Sequence, residues 1–307
     1  MKKFLLIYLI MNLACLLAQT PVRLTDGSTP FLQPVWSPAG DWIALTTSKY
    51  DGIWLIKPDG SELHQLTDDL AVGYKMCWSS DGKFLVGRAA QVQNRRRWHV
   101  VKIYDTITKT SKAISEPRKQ MPSLPQWLDN ERVALFLDNK PAVFKAVAAN
   151  DRALRLFNNR ALVFMTQSGL SLTTAAGETK KIPLRPSGQI INAELSPRGD
   201  RIVYEELGSQ LFSCALDGSD IRPLGRGERP HWSPEGQYIA FMQAEDDGHR
   251  ILHADIYIMN HDGANRLNLT NSAGRLEMNS SWAPDGKRLV FDDRTDGVIW
   301  VMPVATP

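Results

Sequence analysis

Three arginines and a tryptophan stand side by side at Arg95, Arg96, Arg97 and Trp98. Arginine pairs with carboxylates through a planar fork, and both residue types are frequent anchors of protein–protein contacts. The cluster therefore predicts a contact surface for an acidic partner. The alternative is a solvated hairpin whose arginines serve only solubility. A basic run of three residues, in a chain with a formal net charge of +3, does not indicate a nucleic-acid-binding protein.

A second segment combines histidines with carboxylates, at Asp246, Asp247, His249, His253 and Asp255. Two histidines four residues apart can share a metal ion when the segment that carries them is helical. Gly248, inside what reads as a connection between strands, argues against a helix. The single aspartates of repeated Asp-Gly turns do not make the oxygen cage that calcium requires. We therefore predict no metal site and no cofactor.

The elements that must position these residues follow from a repeated ten-residue motif. It begins at Trp36 as WSPAGDWIAL and returns at Trp78, Trp127, Leu195, Trp232 and Trp282 as WSSDGKFLVG, WLDNERVALF, LSPRGDRIVY, WSPEGQYIAF and WAPDGKRLVF. Proline fixes φ, glycine supplies the positive φ of a tight turn, and strand-forming apolar residues follow. We call it the tryptophan motif. It predicts the end of one strand, a turn and a second strand.

A second motif follows the first at a variable distance. It reads GIWLIKPDGSELHQLT from Gly52, QLFSCALDGSDIRPL from Gln210 and DIYIMNHDGANRLNLT from Asp255. Each copy predicts an apolar strand, an Asp-Gly turn and a short final strand. Together the two motifs give four antiparallel strands in about 40 residues, which is typical of one β-propeller blade.

The sequence therefore predicts an all-β fold, a β-propeller of four-stranded antiparallel blades. Seven blades result if residues 158–184 form a blade whose first strand is weak or missing. Six is the alternative, if residues 141–184 form one unit. The last repeat stops after its third strand, GVIWVMPV, whereas PVRLT near the start resembles a fourth strand. We predict that Val22–Thr25 completes the blade that Trp282 begins, so that the two ends of the chain pair and close the ring.

A propeller has two unlike faces. The turns between first and second strands and between third and fourth strands share one face, and they are tight here. The connections between second and third strands and the links between blades share the other face. The long connections 87–100 and 242–255 are expected there as loops around the central opening, where binding usually resides.

Five charged residues lie just before the innermost strands of late repeats, at Arg226, Glu228, Arg229, Arg275 and Glu277. We expect them to ring the channel mouth, with paired rim charges as the alternative. Arg229 and Glu277 join the four residues of the arginine cluster as predicted binding residues.

The tryptophan motif followed by a strand and an IYxMNxDGxxxxxLT segment closely resembles the TolB-type β-propeller repeat of exported bacterial proteins. The resemblance extends from about Val22 to Val304 and implies a propeller fold in an exported protein. The same repeat occurs in TolB, in propeller domains attached to peptidases and in proteins of unknown role, so it does not imply one function. TolB carries an N-terminal domain ahead of its propeller, and we expect this chain to lack that domain because its repeats start soon after the leader.

Residues 1–18 read as a secretory signal, with Lys2 and Lys3 before an apolar run and small residues around Ala18. We predict that residues 19–307 form one propeller domain in the periplasm or outside the cell. Lipid anchoring at Cys15 is the alternative. No later stretch is apolar enough to cross a bilayer. Cys77 and Cys214 are expected to be small apolar core residues without a disulfide.

These observations favour a non-catalytic propeller that binds another protein or an envelope component through its long-loop face. No Gly-x-Ser-x-Gly elbow appears in the chain. The alternatives are a channel-mouth enzyme of the lyase or hydrolase kind, with His231, Glu228 and Glu277 as its acids and bases, and a propeller that binds a sugar in its channel.

Overall fold

The structure is a computed structural model that describes residues 20–138, 140–146, 161–166, 169–174, 178–184, 188–208 and 210–304. Within these ranges the chain consists of strands and turns, without a helix. The strands form seven separate antiparallel sheets. The protein is therefore an all-β, seven-bladed β-propeller, as predicted. The predicted leader, including Cys15, lies outside the described residues.

We number the strands β1 to β26 and the blades 1 to 7 in chain order, with β1 assigned to blade 7. Blade 1 contains β2 (Phe31–Trp36), β3 (Ile43–Thr47), β4 (Ile53–Ile56) and β5 (His64–Thr67). Blade 2 contains β6 (Cys77–Trp78), β7 (Phe84–Gln93), β8 (Arg96–Asp105) and β9 (Ser111–Ala113). Blade 3 contains β10 (Gln126–Trp127), β11 (Arg132–Leu137) and β12 (Lys140–Lys145). Blade 4 contains β13 (Leu162–Thr166), β14 (Gly169–Thr173) and β15 (Thr179–Lys181).

The remaining blades have four strands each. Blade 5 contains β16 (Ile190–Leu195), β17 (Arg201–Glu206), β18 (Gln210–Ala215) and β19 (Arg222–Arg226). Blade 6 contains β20 (Glu228–Trp232), β21 (Tyr238–Asp246), β22 (Ile251–Asn260) and β23 (Leu267–Asn268). Blade 7 contains β24 (Glu277–Trp282), β25 (Arg288–Asp293), β26 (Val298–Pro303) and β1 (Val22–Arg23).

The six-blade alternative is wrong because residues 141–184 do not form one sheet. β12 pairs with β11, as in the register Leu135↔Ala142, and so belongs to blade 3. β13, β14 and β15 form a sheet of their own. Three strands are described in each of these two blades, and residues 147–160 between them lie outside the described ranges.

The ring closes where the sequence predicts. β1 pairs with β26 in the register Val22↔Val301 and Arg23↔Trp300. The Leu24 N–H then donates to the Ile299 carbonyl oxygen at 2.8 Å. The buried Thr25 hydroxyl oxygen accepts the Ile299 N–H at 3.0 Å. Strands from the two ends of the chain thus share one sheet, and β1 covers the edge that β26 would otherwise expose.

The tryptophan of the motif joins neighbouring blades. In four cases its indole N–H donates to a backbone carbonyl oxygen of the preceding blade. The pairs are Trp78 to Val35 at 3.1 Å, Trp127 to Cys77 at 3.1 Å, Trp232 to Glu194 at 3.4 Å and Trp282 to His231 at 3.2 Å. The repeated tryptophan is therefore both a buried core residue and a polar link between blades.

The serine after the tryptophan holds the tight turn. In blade 1 the Gly40 N–H donates to the Ser37 carbonyl oxygen at 2.9 Å, and Gly40 has a φ of 74°. The buried Ser37 hydroxyl oxygen accepts the Trp42 N–H at 3.0 Å. Ser79, Ser196 and Ser233 act in the same way in blades 2, 5 and 6. These bonds explain why the chain repeats the motif so closely.

The two long connections expected as loops are instead strand extensions. β7 and β8 have ten residues each, and β21 and β22 have nine and ten, whereas β3, β17 and β25 have five or six. The first hairpin turns tightly at Asn94 and Arg95, whose φ values are 51° and 60°. Two successive left-handed residues match the twist of a hairpin, so the ladder continues to its tip. We call 84–105 the first ribbon and 238–260 the second ribbon.

Both cysteines within the described ranges, Cys77 and Cys214, are free thiols, as expected. Cys214 is buried in β18, and Cys77 is half-buried in the innermost strand β6. Burial raises the pKa of each thiol to about 11, so both stay protonated at neutral pH.

Candidate functional site

Backbone bulges place a polar residue at one position of the innermost strands. In β2, β16, β20 and β24 the pairing register shifts just before the strand ends. The residue at each shift has a left-handed backbone and lies three positions before the motif tryptophan or its Leu195 replacement. Lys75, three residues before Trp78, has the same conformation. The five residues and their φ values are Gln33 (52°), Lys75 (51°), Asn192 (48°), Arg229 (51°) and Asn279 (51°).

These five residues, which we call the axial cluster, meet at the propeller axis. The Lys75 ammonium donates to Asn192 Oδ1 at 2.5 Å. Lys75 belongs to blade 2 and Asn192 to blade 5, with blades 3 and 4 between them. A direct contact between these blades must cross the central channel. The sequence analysis did not find this cluster, although a polar residue three positions before five of the six motif starts was a visible signal.

The cluster continues from blade 5 to blade 6 through a carboxylate. Glu205 Oε2 accepts the Asn192 side-chain amide N–H at 2.8 Å and the Arg229 backbone N–H at 2.8 Å. The Arg229 guanidinium in turn donates to Asn279 Oδ1 in blade 7. Gln33 of blade 1 donates to the same oxygen at 3.1 Å. Hydrogen bonds therefore connect five blades around the axis.

Asp292 in β25 anchors the last part of this network. Its Oδ1 accepts the Asn279 amide N–H at 2.7 Å and the Gln33 backbone N–H at 3.2 Å, whereas its Oδ2 is buried without a hydrogen bond. Burial raises the pKa of Asp292 to about 6, although the Asn279 hydrogen bond and the charges of Arg294 and Arg229 act in the opposite direction.

The surroundings of Lys75 disfavour the charged form of its side chain. Burial lowers the pKa of its ammonium, and the nearby Arg229 charge lowers it further, whereas Glu194 and Glu205 act in the opposite direction. Glu194 itself pairs with His231, with 2.9 Å between its Oε2 and the ring Nδ1. These two side chains are 39% and 43% exposed, so the pair faces solvent.

Two of the three predicted acid–base residues, His231 and Glu277, contact different partners. Glu228, Arg229 and Glu277 lie within the innermost strands, rather than before them, because the bulged strands start earlier than expected. His231 pairs with Glu194, which the sequence analysis did not single out.

Glu277 is buried on the ribbon side of blade 7. Its carboxylate lies 3.8 Å from the Arg275 guanidinium. Burial raises the pKa of Glu277, and the negative charges of Asp255 and Asp293 raise it further. Arg275 also pairs with Asp293 and, at 3.2 Å, with Asp296. The charges at 275 and 277 are therefore paired, which matches the alternative that the sequence left open.

The arginine cluster is divided between the two faces of the first ribbon. Gln93 pairs with Arg96 and Gln91 with Trp98, whereas Val92 pairs with Arg97. Because side chains alternate along a strand, Arg96 and Trp98 share one face and Arg97 lies on the other. Arg95 occupies the turn. Burial lowers the pKa of His99, and the charges of Arg88 and Arg97 on this second face lower it further.

The base of the first ribbon is held on both sides by inter-blade links. The Ala90 N–H donates to the Leu70 carbonyl oxygen at 2.7 Å. On the opposite edge, His99 and Arg118 exchange two backbone hydrogen bonds of 2.7 and 2.8 Å. The second ribbon is tied at Ala254, whose N–H donates to the Arg275 carbonyl oxygen at 2.9 Å. Both ribbons are thus fixed where they leave their blades.

The acidic and histidine residues of the second ribbon serve local structure. Asp247 Oδ1 accepts the backbone N–H groups of His249 and Arg250 at 2.9 Å each, which holds the ribbon tip. Asp255 is buried and lies 3.1 Å from the His253 ring. Among the residues that the structure describes, no group of three or more histidines, cysteines or carboxylates could hold a metal ion.

Comparison with known proteins shows similarity to TolB over part of the chain. No family model matches the chain. A 112-residue segment is 30% identical to the Tol-Pal system protein TolB of Wolbachia sp. subsp. Drosophila simulans (strain wRi) and to that of Wolbachia pipientis wMel. This segment is 36% of the present chain, and it spans 25% of the length of each of these relatives.

Solved structures extend the likeness over most of the fold. The putative TolB from Agrobacterium tumefaciens superposes with a TM-score of 0.56 at 18% identity, over 91% of both chains. TolB from Acinetobacter baumannii gives 0.54 at 18% identity, over 83% of this chain and 57% of its own. The chain is a TolB-like β-propeller. In the described parts of this TolB-like propeller, no helix is long and apolar enough to cross a membrane.

Proposed function

We propose that this TolB-like propeller is an exported, non-catalytic platform that binds another protein or an envelope component. Residues 1–18 act as the signal, and residues 19–307 form the mature domain. Binding takes place on the ribbon face, which we define as the face that carries both ribbons and the inter-blade links. The relatives are named as proteins of a Tol-Pal system, and a role within a multicomponent system agrees with binding.

The observation that carries this proposal is the charge at the tip of the first ribbon. Arg95, Arg96 and Arg97 are exposed, and within the described residues none of them forms an ion pair. Arg118 at the ribbon base, in contrast, pairs with Asp138 at 2.7 Å. Unpaired guanidinium groups fit an acidic partner.

The ribbon offers two faces, and the face with Arg96 and Trp98 suits a partner better. An open groove runs along it between the ribbon and blade 3, and Gln91, Glu116 and Phe144 contribute to its walls. Lys119 lies 5.5 Å from the centre of the Trp98 ring and adds a further cation. A partner segment in this groove contacts the aromatic ring of Phe144 and the apolar Val100, on the same ribbon face as Arg96 and Trp98.

The bracing of the ribbon supports affinity. Hydrogen bonds from the links at Leu70 and Arg118 hold both edges of the ribbon at its base. A surface that is already ordered loses little conformational entropy when a partner binds. The absence of a catalytic role rests on the separate pairing of the candidate residues, since His231 contacts Glu194 and the buried Glu277 contacts Arg275.

Site-specific photocrosslinking in cells tests this proposal. A photoreactive amino acid replaces Gln93 on the first ribbon and, as the matched control, Ala39 in an exposed tight turn on the opposite face. We expect one discrete protein adduct from position 93 and none from position 39. The triple substitution of Arg95, Arg96 and Trp98 by alanine abolishes that adduct, whereas Arg97→Ala retains it.

Two results contradict the proposal. One is an equal adduct pattern from positions 93 and 39, which indicates nonspecific contact. The other is an adduct that the triple variant retains in full, which removes the ribbon from the binding surface. Circular dichroism and thermal unfolding of each variant verify that the propeller is intact.

A further inference from the structure

The axial cluster holds two cations that have no acidic partner. Lys75 binds the amide oxygen of Asn192, and Arg229 binds the amide oxygen of Asn279. Within the described residues, neither cation lies within ion-pair distance of a carboxylate. Lys102 and Arg201, two other half-buried cations, do have acidic partners, whereas the half-buried Arg88 donates to the Met121 carbonyl oxygen. Lys102 contacts Asp69 at 2.7 Å, and Arg201 contacts Asp220 at 2.7 Å.

The nearby carboxylates are occupied by other donors. Glu205 Oε2 accepts two N–H groups, from Asn192 and from the Arg229 backbone. Asp292 Oδ1 likewise accepts two, from Asn279 and from the Gln33 backbone. Glu194 contacts His231. The carboxylates of Glu205 and Asp292 thus accept hydrogen bonds from amide N–H groups, and Glu194 contacts an imidazole. The charges of Lys75 and Arg229 therefore remain available to a ligand.

Two like charges in a partly desolvated channel destabilise one another, because the local dielectric constant is lower than in water. The lowered pKa of the Lys75 ammonium reflects burial and the Arg229 charge. An anion between the two side chains relieves this repulsion. We propose that the channel binds a small carboxylate anion between the Lys75 ammonium and the Arg229 guanidinium.

The chemistry of the site favours a monoanion with a planar head. A guanidinium binds the two oxygens of a carboxylate through parallel hydrogen bonds, while an ammonium acts as a point charge. Glu194, Glu205 and Asp292 lie around the same axis and repel a dianion such as phosphate more strongly than a monoanion.

The position of the cluster makes it reachable from solvent. The innermost strands start at the ribbon face and end at the tight turns of the opposite face, and the bulged residues lie in the middle of that path. Gln33, Lys75, Asn192 and Arg229 are half-buried rather than sealed. This site does not depend on the ribbon, and the proposal stands apart from the proposed binding platform.

Acetate is the probe for the test. Thermal unfolding of the mature protein is followed while sodium acetate replaces sodium chloride at constant ionic strength, with acetamide as the neutral isostere. We expect a saturable rise in Tm with acetate and none with acetamide, because a ligand that binds only the folded state stabilises it. Phosphate is expected to give a smaller shift than acetate.

Substitutions test whether the rise in Tm with acetate depends on Lys75 and Arg229. We expect Lys75→Met to raise Tm without acetate, because it removes a desolvated charge, and to weaken acetate binding by about tenfold or more. Arg229→Gln is expected to weaken acetate binding similarly. The control variant Arg95→Gln/Arg96→Gln keeps the full acetate response, even if it loses the partner adduct.

Three results overturn the proposal. They are a wild-type Tm that does not respond to acetate, an acetate response that both single variants retain, and a phosphate response equal to or larger than the acetate response. If Arg229→Gln does not fold, Lys75→Met alone decides the matter. Loss of the ribbon adduct affects only the binding platform, so failure of one proposal is distinguishable from failure of the other.

Discussion

The indole Nε1 of Trp282 lies 3.2 Å from the backbone carbonyl oxygen of His231 and donates a hydrogen bond to it. This bond joins blade 7 to blade 6. The same bond recurs at Trp78, Trp127 and Trp232, but Trp36 departs from the pattern, because its buried Nε1 has no acceptor among the described residues. Trp36 is the motif tryptophan that faces blade 7, at the junction between the two ends of the chain.

This difference predicts unequal costs for the same substitution. Trp282→Phe removes the indole donor and leaves the His231 carbonyl oxygen without it. We expect Trp282→Phe to lower the free energy of unfolding by about 1–2 kcal/mol more than Trp36→Phe does. Both rings are buried to a similar degree, so the loss of buried apolar surface lowers the free energy of unfolding by a similar amount in the two variants. Urea unfolding of the two variants measures the difference, and equal losses contradict the role of the bond.

The serine of the tight turn gives a prediction in both directions. Ser233 is fully buried and its hydroxyl oxygen accepts the Tyr238 N–H at 3.0 Å. We expect Ser233→Ala to lower the free energy of unfolding by about 1 kcal/mol. Ala283 occupies the same place in a turn with the same backbone bonds, from Ala283 to Arg288 and from Gly286 to Ala283. Ala283→Ser is therefore expected to raise it by up to about 1 kcal/mol. Chemical denaturation checks both, and destabilisation by Ala283→Ser shows that the turns are not equivalent.

Ring closure depends on a side chain as well as on strand pairing. Thr25 accepts the buried Ile299 N–H at 3.0 Å through its hydroxyl oxygen. Thr25→Val keeps the shape but leaves that N–H without an acceptor, so we expect a loss of about 1–3 kcal/mol. Thr47→Val, at a half-exposed hydroxyl that donates to Asp51, is the control and is expected to cost less. Thermal unfolding measures the loss of stability in both variants. Equal losses would mean that the Thr25 hydroxyl has no special role in closing the ring.

Asp292 predicts a distinctive dependence of stability on pH. Its folded pKa of about 6 lies above the ordinary value of 3.8. The folded protein therefore binds more protons than the unfolded chain between these values, and the Asp292 contribution to stability falls as pH rises through this window. Asp292→Asn removes that dependence.

The measurement is the difference in unfolding free energy between the wild type and Asp292→Asn from pH 4 to pH 7. We expect the variant to gain up to about 3 kcal/mol relative to the wild type across that range. Asp285→Asn, at an exposed carboxylate paired with Arg288, is the control. Parallel curves for the wild type and Asp292→Asn contradict the raised pKa.

The first ribbon shows what local sequence patterns could and could not predict. The sequence located the long connection and its cluster of arginines, but it favoured a loop. Asn94 and Arg95 adopt left-handed conformations without a glycine, so the usual signal of a two-residue hairpin is missing. Which arginine shares a face with Trp98 depends on the pairing register, and only the folded hairpin sets that register.

The sequence by itself indicated seven blades, with six as the alternative, and predicted the closing seam, because turns and strands are encoded within segments of about ten residues. Proline fixes φ and glycine permits a positive φ, and the segment near Thr25 resembles the other fourth-strand endings of the chain. Only the tertiary structure decided the axial cluster. Lys75 and Asn192 are 117 positions apart, and they touch only because ring closure brings opposite blades to one axis. The five residues of the cluster share a backbone conformation and a place in the ring rather than a residue type, so no local pattern of the sequence expresses their contact.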